Sequence, residues 1–164
     1  MTSRLPSVVV RPYRESDLAW AEEVLDGFGG SLQARRGELI DVLTLPGLVA
    51  EQEGRPVGLL MYRRDGDECE LAFIEAVAPG NGIGSALLDA LRTELAGCRR
   101  IWVVTTNDNL DALRFYQRRG FALAALRPRA VDDSRRRLKP RIPAVGRFGI
   151  PLRDELELEL PSDG

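Results

Sequence analysis

The chain has 164 residues, of which 44% are hydrophobic, and its 23 basic and 25 acidic residues give a net charge of −2. This length suits one domain with its own core, and the balanced charge excludes a general attraction to nucleic acid or an anionic membrane. Because the chain has no histidine, the usual Ser-His-Asp and Cys-His hydrolases are also excluded.

The first half of the chain predicts a strand, two helices and three further strands. Glycines and prolines separate the segments, and β-branched residues dominate the strands. The first strand is expected over residues 8–13 and is closed by Pro12. A first helix is expected to begin at Leu18, with Ser16 or Asp17 as its cap, and to end at the glycines 27, 29 and 30; a second helix is expected after Ser31 and carries Leu39, Ile40 and Leu43. Three further strands are expected over residues 48–52, 57–62 and 69–77.

The second half predicts a helix after a glycine-rich loop, a buried strand, another helix and two more strands. The first helix is expected after residues 79–85 and the second over residues 110–119. The strands are expected over residues 101–105, 121–126 and 155–160. An antiparallel meander followed by a β-α-β crossover predicts a mixed, mostly antiparallel sheet of about seven strands with helices on both faces. We therefore expect one α/β domain over residues 8–160, with a long loop at residues 128–147.

Several features bear on the compartment and on metals. Cys69 and Cys98 are too few for a disulfide framework, so reduced thiols in a cytoplasm are expected. They also lack the close spacing of a zinc site, and no metal is predicted. No signal peptide is recognised at the N-terminus, and no stretch is long and apolar enough to predict a membrane span.

A glycine-rich loop leads directly into a predicted helix and indicates a phosphate site. Gly80, Gly82 and Gly84 leave room for a ligand near the backbone, and the first helix amides carry a positive dipole end. The P-loop ending Gly-Lys-Ser/Thr is absent, and the dinucleotide fingerprint ends on Ser85 or Leu87 instead of glycine. The alternative is a glycine-rich turn without a ligand.

Two motifs resemble the GNAT superfamily of acetyltransferases. Gly82-Ile83-Gly84 matches the second half of its Gln/Arg-x-x-Gly-x-Gly/Ala motif, and an Asn-x-x-Ala-x-x-x-Tyr-x-x-x-Gly-Phe pattern runs from Asn109 through Tyr116 to Phe121. The resemblance extends over the whole chain in element order and is specific from about Glu70 to Phe121. One departure is Pro79 at the Gln/Arg position, which removes a basic contact, although backbone amides need no particular side chain.

This resemblance implies an acetyl-CoA-dependent N-acetyltransferase that transfers the acetyl group directly to a primary amine. It implies that the pantetheine arm pairs with the strand ending at Val77, in a V-shaped opening between two splayed strands, and that the pyrophosphate lies on residues 80–85. Asn109 would line the cofactor arm. The implied cofactor-binding residues are Val77, Gly80, Asn81, Gly82, Ile83, Gly84, Ser85, Asn109 and Tyr116.

The same resemblance places Tyr116 near the thioester sulfur, where a protonated phenol could donate to the departing thiolate. The alternative is a core tyrosine. An ammonium acceptor must lose a proton, and we expect Glu75, inside an apolar run, to be the base, with Glu70 second. The alternative for both glutamates is a structural ion pair.

Other functions stay open at this point. The fold could serve as a non-catalytic coenzyme A-binding sensor or interaction module, or as another nucleotide-binding α/β protein. The expected acceptor is a small-molecule or peptide amine, with no nucleic-acid or membrane partner; a homodimer is left open. The basic residues 135–141 indicate either a solvated loop or an anion site.

Overall fold

The computed structural model describes residues 6–78 and 81–161. Nine strands and four helices lie in this described part of the chain. In chain order they are β1 (Val8–Pro12), α1 (Leu18–Asp26), β2 (Leu32–Arg35), β3 (Glu38–Asp41), β4 (Gly47–Gln52), β5 (Arg55–Asp65), β6 (Glu68–Ala76), α2 (Ile83–Glu94), β7 (Arg100–Thr106), α3 (Leu110–Arg118), β8 (Ala122–Arg127), α4 (Ala130–Arg137) and β9 (Glu155–Pro161).

Seven of the strands are hydrogen-bonded in the order β1-β4-β5-β6-β7-β9-β8, and β2 pairs only with β3. The pairs β1–β4, β4–β5, β7–β9 and β8–β9 are antiparallel, whereas β6 and β7 are parallel. The parallel pair needs a crossover connection, and helix α2 provides it. The predicted mixed, mostly antiparallel seven-stranded sheet is therefore confirmed.

The chain divides into two compact units. The first contains residues 6–31, 42–63, 71–78 and 81–97, and the second contains residues 32–41, 64–70 and 98–161. Strand β6 contributes to both units. Among the described residues, no helix has the length and apolar character that a membrane crossing requires.

In the first unit, helix α2 packs on the sheet through a glycine. A Cβ added at Gly58 of β5 would lie 2.5 Å from Cγ2 of Ile83 and 2.9 Å from Cδ1 of Leu87, so no side chain separates strand from helix there. Ile83 and Leu87 are both buried. Since Ile83 is the first residue of α2, this contact sets the position of the helix N-terminus.

In the second unit, an alternating Glu-Leu strand is buried on both of its faces. Leu158 of β9 is fully buried, as the alternation predicts, but Glu155 and Glu157 are buried as well. Both glutamates face basic groups: the backbone amide of Arg36 donates to Glu155, and the guanidiniums of Arg100 and Arg127 donate to Glu157. The carboxylates remain in the interior because each has a hydrogen-bond donor.

The predicted second helix, expected to carry Leu39, Ile40 and Leu43, is wrong. Residues 32–41 form the hairpin β2–β3, whose turn consists of Arg36 and Gly37, with φ values of 52° and 75°. Two consecutive residues with positive φ are typical of a two-residue hairpin turn, which a helix cannot contain. Leu39 and Ile40 lie on β3, and Leu43 lies in the 3-10 turn that follows it.

The predicted loop at residues 128–147 is also wrong in part, because residues 130–137 form helix α4. Charged side chains on the helix pair along its own surface. Arg135 bonds to Asp132, while Arg136 and Arg137 both bond to Asp133. Pairs three and four residues apart stabilise a helix that has few apolar residues.

The expectation of reduced thiols is likewise wrong. Cys69 and Cys98 are joined in a disulfide whose half-cystines are 29 residues apart in the sequence. The bond connects strand β6 to the segment that precedes β7, and the paired residues of these two strands include Cys69 and Ile101. Both sulfur-bearing residues are buried in the second unit.

Candidate functional site

The predicted phosphate loop lies in the first unit at the N-terminus of α2. Gly82 is the N-cap residue and has a left-handed backbone with φ of 73°, which favours glycine. A Cβ at this position would have no atom within 4 Å, so the space beside the backbone is open. The Gly82 carbonyl accepts from the Ala86 amide at 3.0 Å and thereby begins the helix. An open helix N-terminus leaves room for an anion, which the helix dipole favours there.

The other predicted residues of this loop differ in exposure. Asn81 is exposed, whereas Ile83 is buried under the helix. Gly84 and Ser85 follow in the first turn of α2. Pro79 and Gly80 lie outside the described residues.

The strand that the sequence assigns to the pantetheine arm was expected to end at Val77, and in the structure Val77 directly follows β6, which ends at Ala76. The side chain of Val77 is 54% exposed, and its amide donates to the carbonyl of Val57 at 2.8 Å. Glu75, the favoured base, lies two residues earlier on β6 and is half-buried. The pairing of Val77 with the pantetheine arm and the role of Glu75 as the base therefore stay predictions.

In the second unit, Asn109 is the N-cap residue of α3. Its Oδ1 accepts from the Ala112 amide at 3.2 Å and also from the guanidinium of Arg147. Capping an N-terminus with a side-chain oxygen is a common role for asparagine. Arg147 is a neighbour that the sequence analysis did not find, because it is 38 residues away along the chain.

Tyr116 is buried in an aromatic cluster of the second unit, with 5% of its surface exposed. Its ring centroid lies 5.4 Å from that of Phe115 and 5.3 Å from that of Phe121. The Tyr116 carbonyl accepts from the Phe121 amide at 3.1 Å, at the end of the helix. Aromatic rings pack favourably at these distances, which is what the core alternative for this tyrosine predicts.

Glu70, the second candidate base, forms a buried ion pair with Arg35. Nε and Nη2 of Arg35 each lie 2.5 Å from a different carboxylate oxygen of Glu70. Only 2% of the Glu70 surface is exposed. A bidentate guanidinium occupies both oxygens, so the geometry favours the structural alternative for Glu70. Arg35 was missed because its segment was interpreted as a helix.

Two further buried glutamates have perturbed pKa values that the sequence did not indicate. Burial raises the pKa of Glu155, although the Arg36 amide and nearby guanidiniums oppose the change. Burial also opposes ionisation of Glu157, but hydrogen bonds from Arg127 and Arg100 lower its pKa overall. The Glu-Leu alternation predicts that the leucine side of the strand is buried and the glutamate side is exposed. The burial of these two glutamates could have been predicted only if basic partners had been expected on the glutamate side of the strand.

The basic stretch at residues 135–141 is largely engaged within the protein. Arg135 donates to the carbonyls of Ile142, Pro143 and Leu152 at 2.7–2.8 Å in addition to its bond with Asp132. Lys139 donates to the carbonyl of Leu32 at 2.6 Å, and burial, with a contribution from Arg141, lowers its pKa. These contacts favour a structural role for Arg135 and Lys139 over a free anion site.

Comparison with known proteins gives matches in sequence and in structure. A family model described as the acetyltransferase (GNAT) family matches residues 16–121. The uncharacterized protein YdhI of Bacillus subtilis is 44% identical over 115 residues, which are 68% of this chain and 71% of that protein.

Two solved structures share the fold. The IAA acetyltransferase from Bacillus cereus has a TM-score of 0.73 at 20% identity, covering 95% of this chain and 100% of that one. A GNAT family acetyltransferase from Elizabethkingia anophelis with acetyl-CoA bound has a TM-score of 0.70 at 17% identity, covering 94% and 98%. At these identities the likeness is one of fold.

Proposed function

The chain belongs to the acetyltransferase (GNAT) family, and we propose that it transfers the acetyl group of acetyl-CoA directly to a primary amine. The observation that carries this proposal is the open left-handed glycine at the start of α2. A phosphate needs the space beside Gly82, and the positive end of the helix dipole favours an anion there. The acetyl-CoA bound to the Elizabethkingia protein supports the choice of this ligand.

The proposed cofactor-binding residues are the ones that the resemblance to the family implies. Residues 80–85 would hold the pyrophosphate, and the backbone of Val77 would pair with the pantetheine arm. Asn109 and Tyr116 would contact the arm and the sulfur. No side chain between Asn81 and Ser85 is charged, so these contacts depend on backbone donors and on the helix dipole.

Acetyl-CoA supplies a thioester whose carbonyl carbon the amine attacks, and the protein must manage two protons. We propose that the Tyr116 hydroxyl donates to the departing thiolate, since a phenol with a pKa near 10 keeps its proton at neutral pH. The match of Asn109, Tyr116, Gly120 and Phe121 to the family motif supports this role. A positioned donor costs no reorganisation during the reaction.

The amine must be deprotonated before it attacks, and we propose Glu75 as the base, directly or through water. Glu70 is the weaker candidate because both of its oxygens accept from Arg35. Glu75 is half-buried on the same strand. Its place two residues before Val77, which is proposed to pair with the pantetheine arm, supports the choice of Glu75.

A second candidate function is a non-catalytic coenzyme A-binding module, which the close packing of Tyr116 among phenylalanines favours. Under either function the acceptor or partner is proposed to be a small-molecule or peptide amine. A cytoplasmic location and a homodimer stay predictions.

The experiment is calorimetry with acetyl-CoA, followed by thiol-release assays over a panel of amines with native protein and Tyr116→Phe. We expect one acetyl-CoA per chain and a kcat about 10- to 100-fold lower in the variant, at or below the usual range for general acid catalysis. The effect should lie in kcat because the interaction is made mainly in the transition state.

Tyr62→Phe is the matched control, since Tyr62 is also a buried tyrosine but lies outside the proposed site, where its hydroxyl contacts Glu94 at 3.4 Å. It should retain the native kcat. Acetyl-CoA binding without turnover of any amine would support the non-catalytic module. A Tyr116→Phe kcat within about twofold of native, with chemistry rate-limiting, would assign Tyr116 to packing.

A further inference from the structure

Cys69 and Cys98 form a disulfide inside the second unit, and the two residues differ in burial. Cys69 lies on β6 and has no exposed surface, whereas Cys98, in the segment before β7, keeps 7% of its surface exposed. A reagent that approaches the folded protein therefore meets Cys98 first. Thiol–disulfide exchange depends on such access as well as on the chemistry of the attacked sulfur. The pair is consequently asymmetric.

An arginine lies beside the sulfur of the more accessible residue. Nη1 of Arg64, near the end of β5, is 3.9 Å from Sγ of Cys98. A guanidinium at this distance stabilises the negative charge that the sulfur carries once the disulfide is broken. The thiolate is the form of cysteine that reacts with oxidants and electrophiles. The contact thus favours the reactive form of Cys98.

The two cysteines are held close together by contacts that do not involve the disulfide. The Arg99 amide donates to the Asp67 carbonyl at 2.6 Å, and the Arg99 guanidinium pairs with the side chains of Asp67 and Glu68. Beside these contacts, Cys69 of β6 is paired with Ile101 of β7 in the parallel ladder. When the disulfide is reduced, these contacts keep the two thiols near each other, and groups held in this way react with a high effective concentration. The pair is therefore suited to repeated opening and closing.

We propose that Cys98 is a site of reversible thiol oxidation by peroxides, with Cys69 as the residue that resolves the oxidised form. The Cys98 thiolate attacks one oxygen of the peroxide, the O–O bond breaks, and the departing oxygen takes up a proton while Cys98 becomes a sulfenic acid. The Cys69 thiol then attacks the sulfenic sulfur, the S–O bond breaks, and water leaves as the disulfide forms. The two thiols lose two electrons in all, and the peroxide gains them.

A dithiol reductant reverses the reaction through the same sulfur. One thiolate of the reductant attacks Sγ of Cys98, the disulfide breaks, and Cys69 leaves as a thiolate that takes up a proton. The second thiol of the reductant then attacks the mixed disulfide, which releases Cys98 and leaves the reductant oxidised. Cys98 is thus the point of entry in both directions. In a cytoplasm, the location predicted for the chain, disulfides are usually of this transient kind.

The first test locates the reactive sulfur by mass spectrometry of the folded protein. The protein is reduced with dithiothreitol without denaturant, treated with hydrogen peroxide and trapped with dimedone, which reacts with sulfenic acids. Cys69→Ala should carry the adduct at Cys98, because the resolving thiol is missing. Cys98→Ala should carry no adduct at Cys69, and the native protein should re-form its disulfide.

The second test keeps both cysteines and changes the neighbouring charge. Arg64→Gln should slow the re-formation of the disulfide by peroxide about three- to tenfold, because the Cys98 thiolate loses a positive charge about 4 Å away. The range allows for the higher intrinsic nucleophilicity of a less acidic thiol, which offsets part of the loss. Arg64→Lys keeps the charge and should react at close to the native rate. Arg55→Gln is the matched control, because Arg55 is an exposed arginine of the same strand, and it should leave the rate unchanged.

Reduction should also make the folded chain easier to unfold. The disulfide joins residues that are 29 positions apart, and opening a loop of this size should lower Tm by roughly 6–14 °C. The circular dichroism spectrum well below Tm should stay unchanged, since the contacts of Arg99 and the β6–β7 ladder remain. The redox state of the pair would thereby set the thermal stability of the protein.

Three results would overturn the proposal. A disulfide that dithiothreitol opens only after the protein is unfolded in urea would be a permanent structural bond. Adducts that form equally well on Cys69 and on Cys98, or on neither, would remove the asymmetry. An Arg64→Gln rate equal to the native rate would show that the arginine does not activate Cys98, and this variant decides the proposal even where a cysteine variant does not fold.

Discussion

The substitution Gly58→Ala tests whether the packing of α2 on β5 sets the geometry of the proposed phosphate loop. The new methyl carbon would begin 2.5 Å from Cγ2 of Ile83, where ordinary contacts are 3.4–4 Å. Ile83 is buried and β-branched, so its χ1 has little freedom to turn away. We therefore expect the first turn of α2 to move by about 1 Å, carrying Gly82 with it.

The size of the effect follows from two opposing terms. Overpacking a core usually costs about 1–3 kcal/mol, and replacing glycine by alanine returns about 0.4–1 kcal/mol through the unfolded chain. The net loss of about 1–2 kcal/mol corresponds to a fall in Tm of roughly 2–8 °C for a chain of this length. Misaligning one amide that bonds to a charged phosphate costs about 1.5–3 kcal/mol, or at least tenfold in acetyl-CoA affinity.

Thermal unfolding and acetyl-CoA calorimetry on the same samples measure both effects. Gly27→Ala is the control, because a Cβ at Gly27 would meet only the Val24 carbonyl at an ordinary 3.5 Å, and it should change Tm and affinity little. Adding Ile83→Ala to Gly58→Ala removes the closer of the two clashing methyl groups and leaves Cδ1 of Leu87, at 2.9 Å, in place. The double variant should recover affinity and show a coupling energy of about 0.5 kcal/mol or more.

Two results would contradict this reasoning. Native Tm and native affinity in Gly58→Ala would mean that the glycine does not position α2. A lower Tm with unchanged acetyl-CoA affinity would mean that residues 81–85 do not bind the phosphates, and the pyrophosphate would have to be assigned to other donors.

Three more predictions concern single side chains. Gly82→Asp should abolish acetyl-CoA binding with an unchanged circular dichroism spectrum, because a carboxylate would enter the open space beside a positive-φ backbone; retained affinity in the folded variant would place the phosphate elsewhere. The hydrogen bond from Arg11 lowers the pKa of Asp17 despite partial burial, so the pair stabilises the fold above the ordinary aspartate pKa of about 3.9 and loses this contribution as the pH falls through the lowered value. Asp17→Asn should accordingly be less stable than native at pH 7, and the difference should shrink in urea titrations as the pH is lowered below about 3.9; a constant difference would refute it. Arg35→Met should lose about 3–5 kcal/mol in the same titrations by leaving Glu70 buried and unpaired, while Arg35→Met with Glu70→Leu should lose much less; equal losses would show that the ion pair is not the cause.

The elements that sequence predicted correctly have their signals within a few residues of one another. Helix α2 begins directly after Gly82, where apolar residues start to recur at helical spacing. Helix α3 begins directly after its capping residue, Asn109. The β2–β3 hairpin was missed because its turn residues, Arg36 and Gly37, were interpreted as helix interior instead of as two positive-φ positions. A short segment with few apolar residues offers no periodicity by which to choose.

The sequence by itself determined the order along the chain of the strands that form the seven-stranded sheet, the glycine loop and the spacing from Asn109 to Phe121, because propensity, capping and hydrophobic period act over one or two turns of chain. Only the tertiary structure decided which charged groups meet. Glu70 pairs with Arg35 across 35 residues, and Asp108 holds Arg147 across 39. Partners that far apart are brought together by the path of the chain in three dimensions, and no local pattern of residues encodes that path.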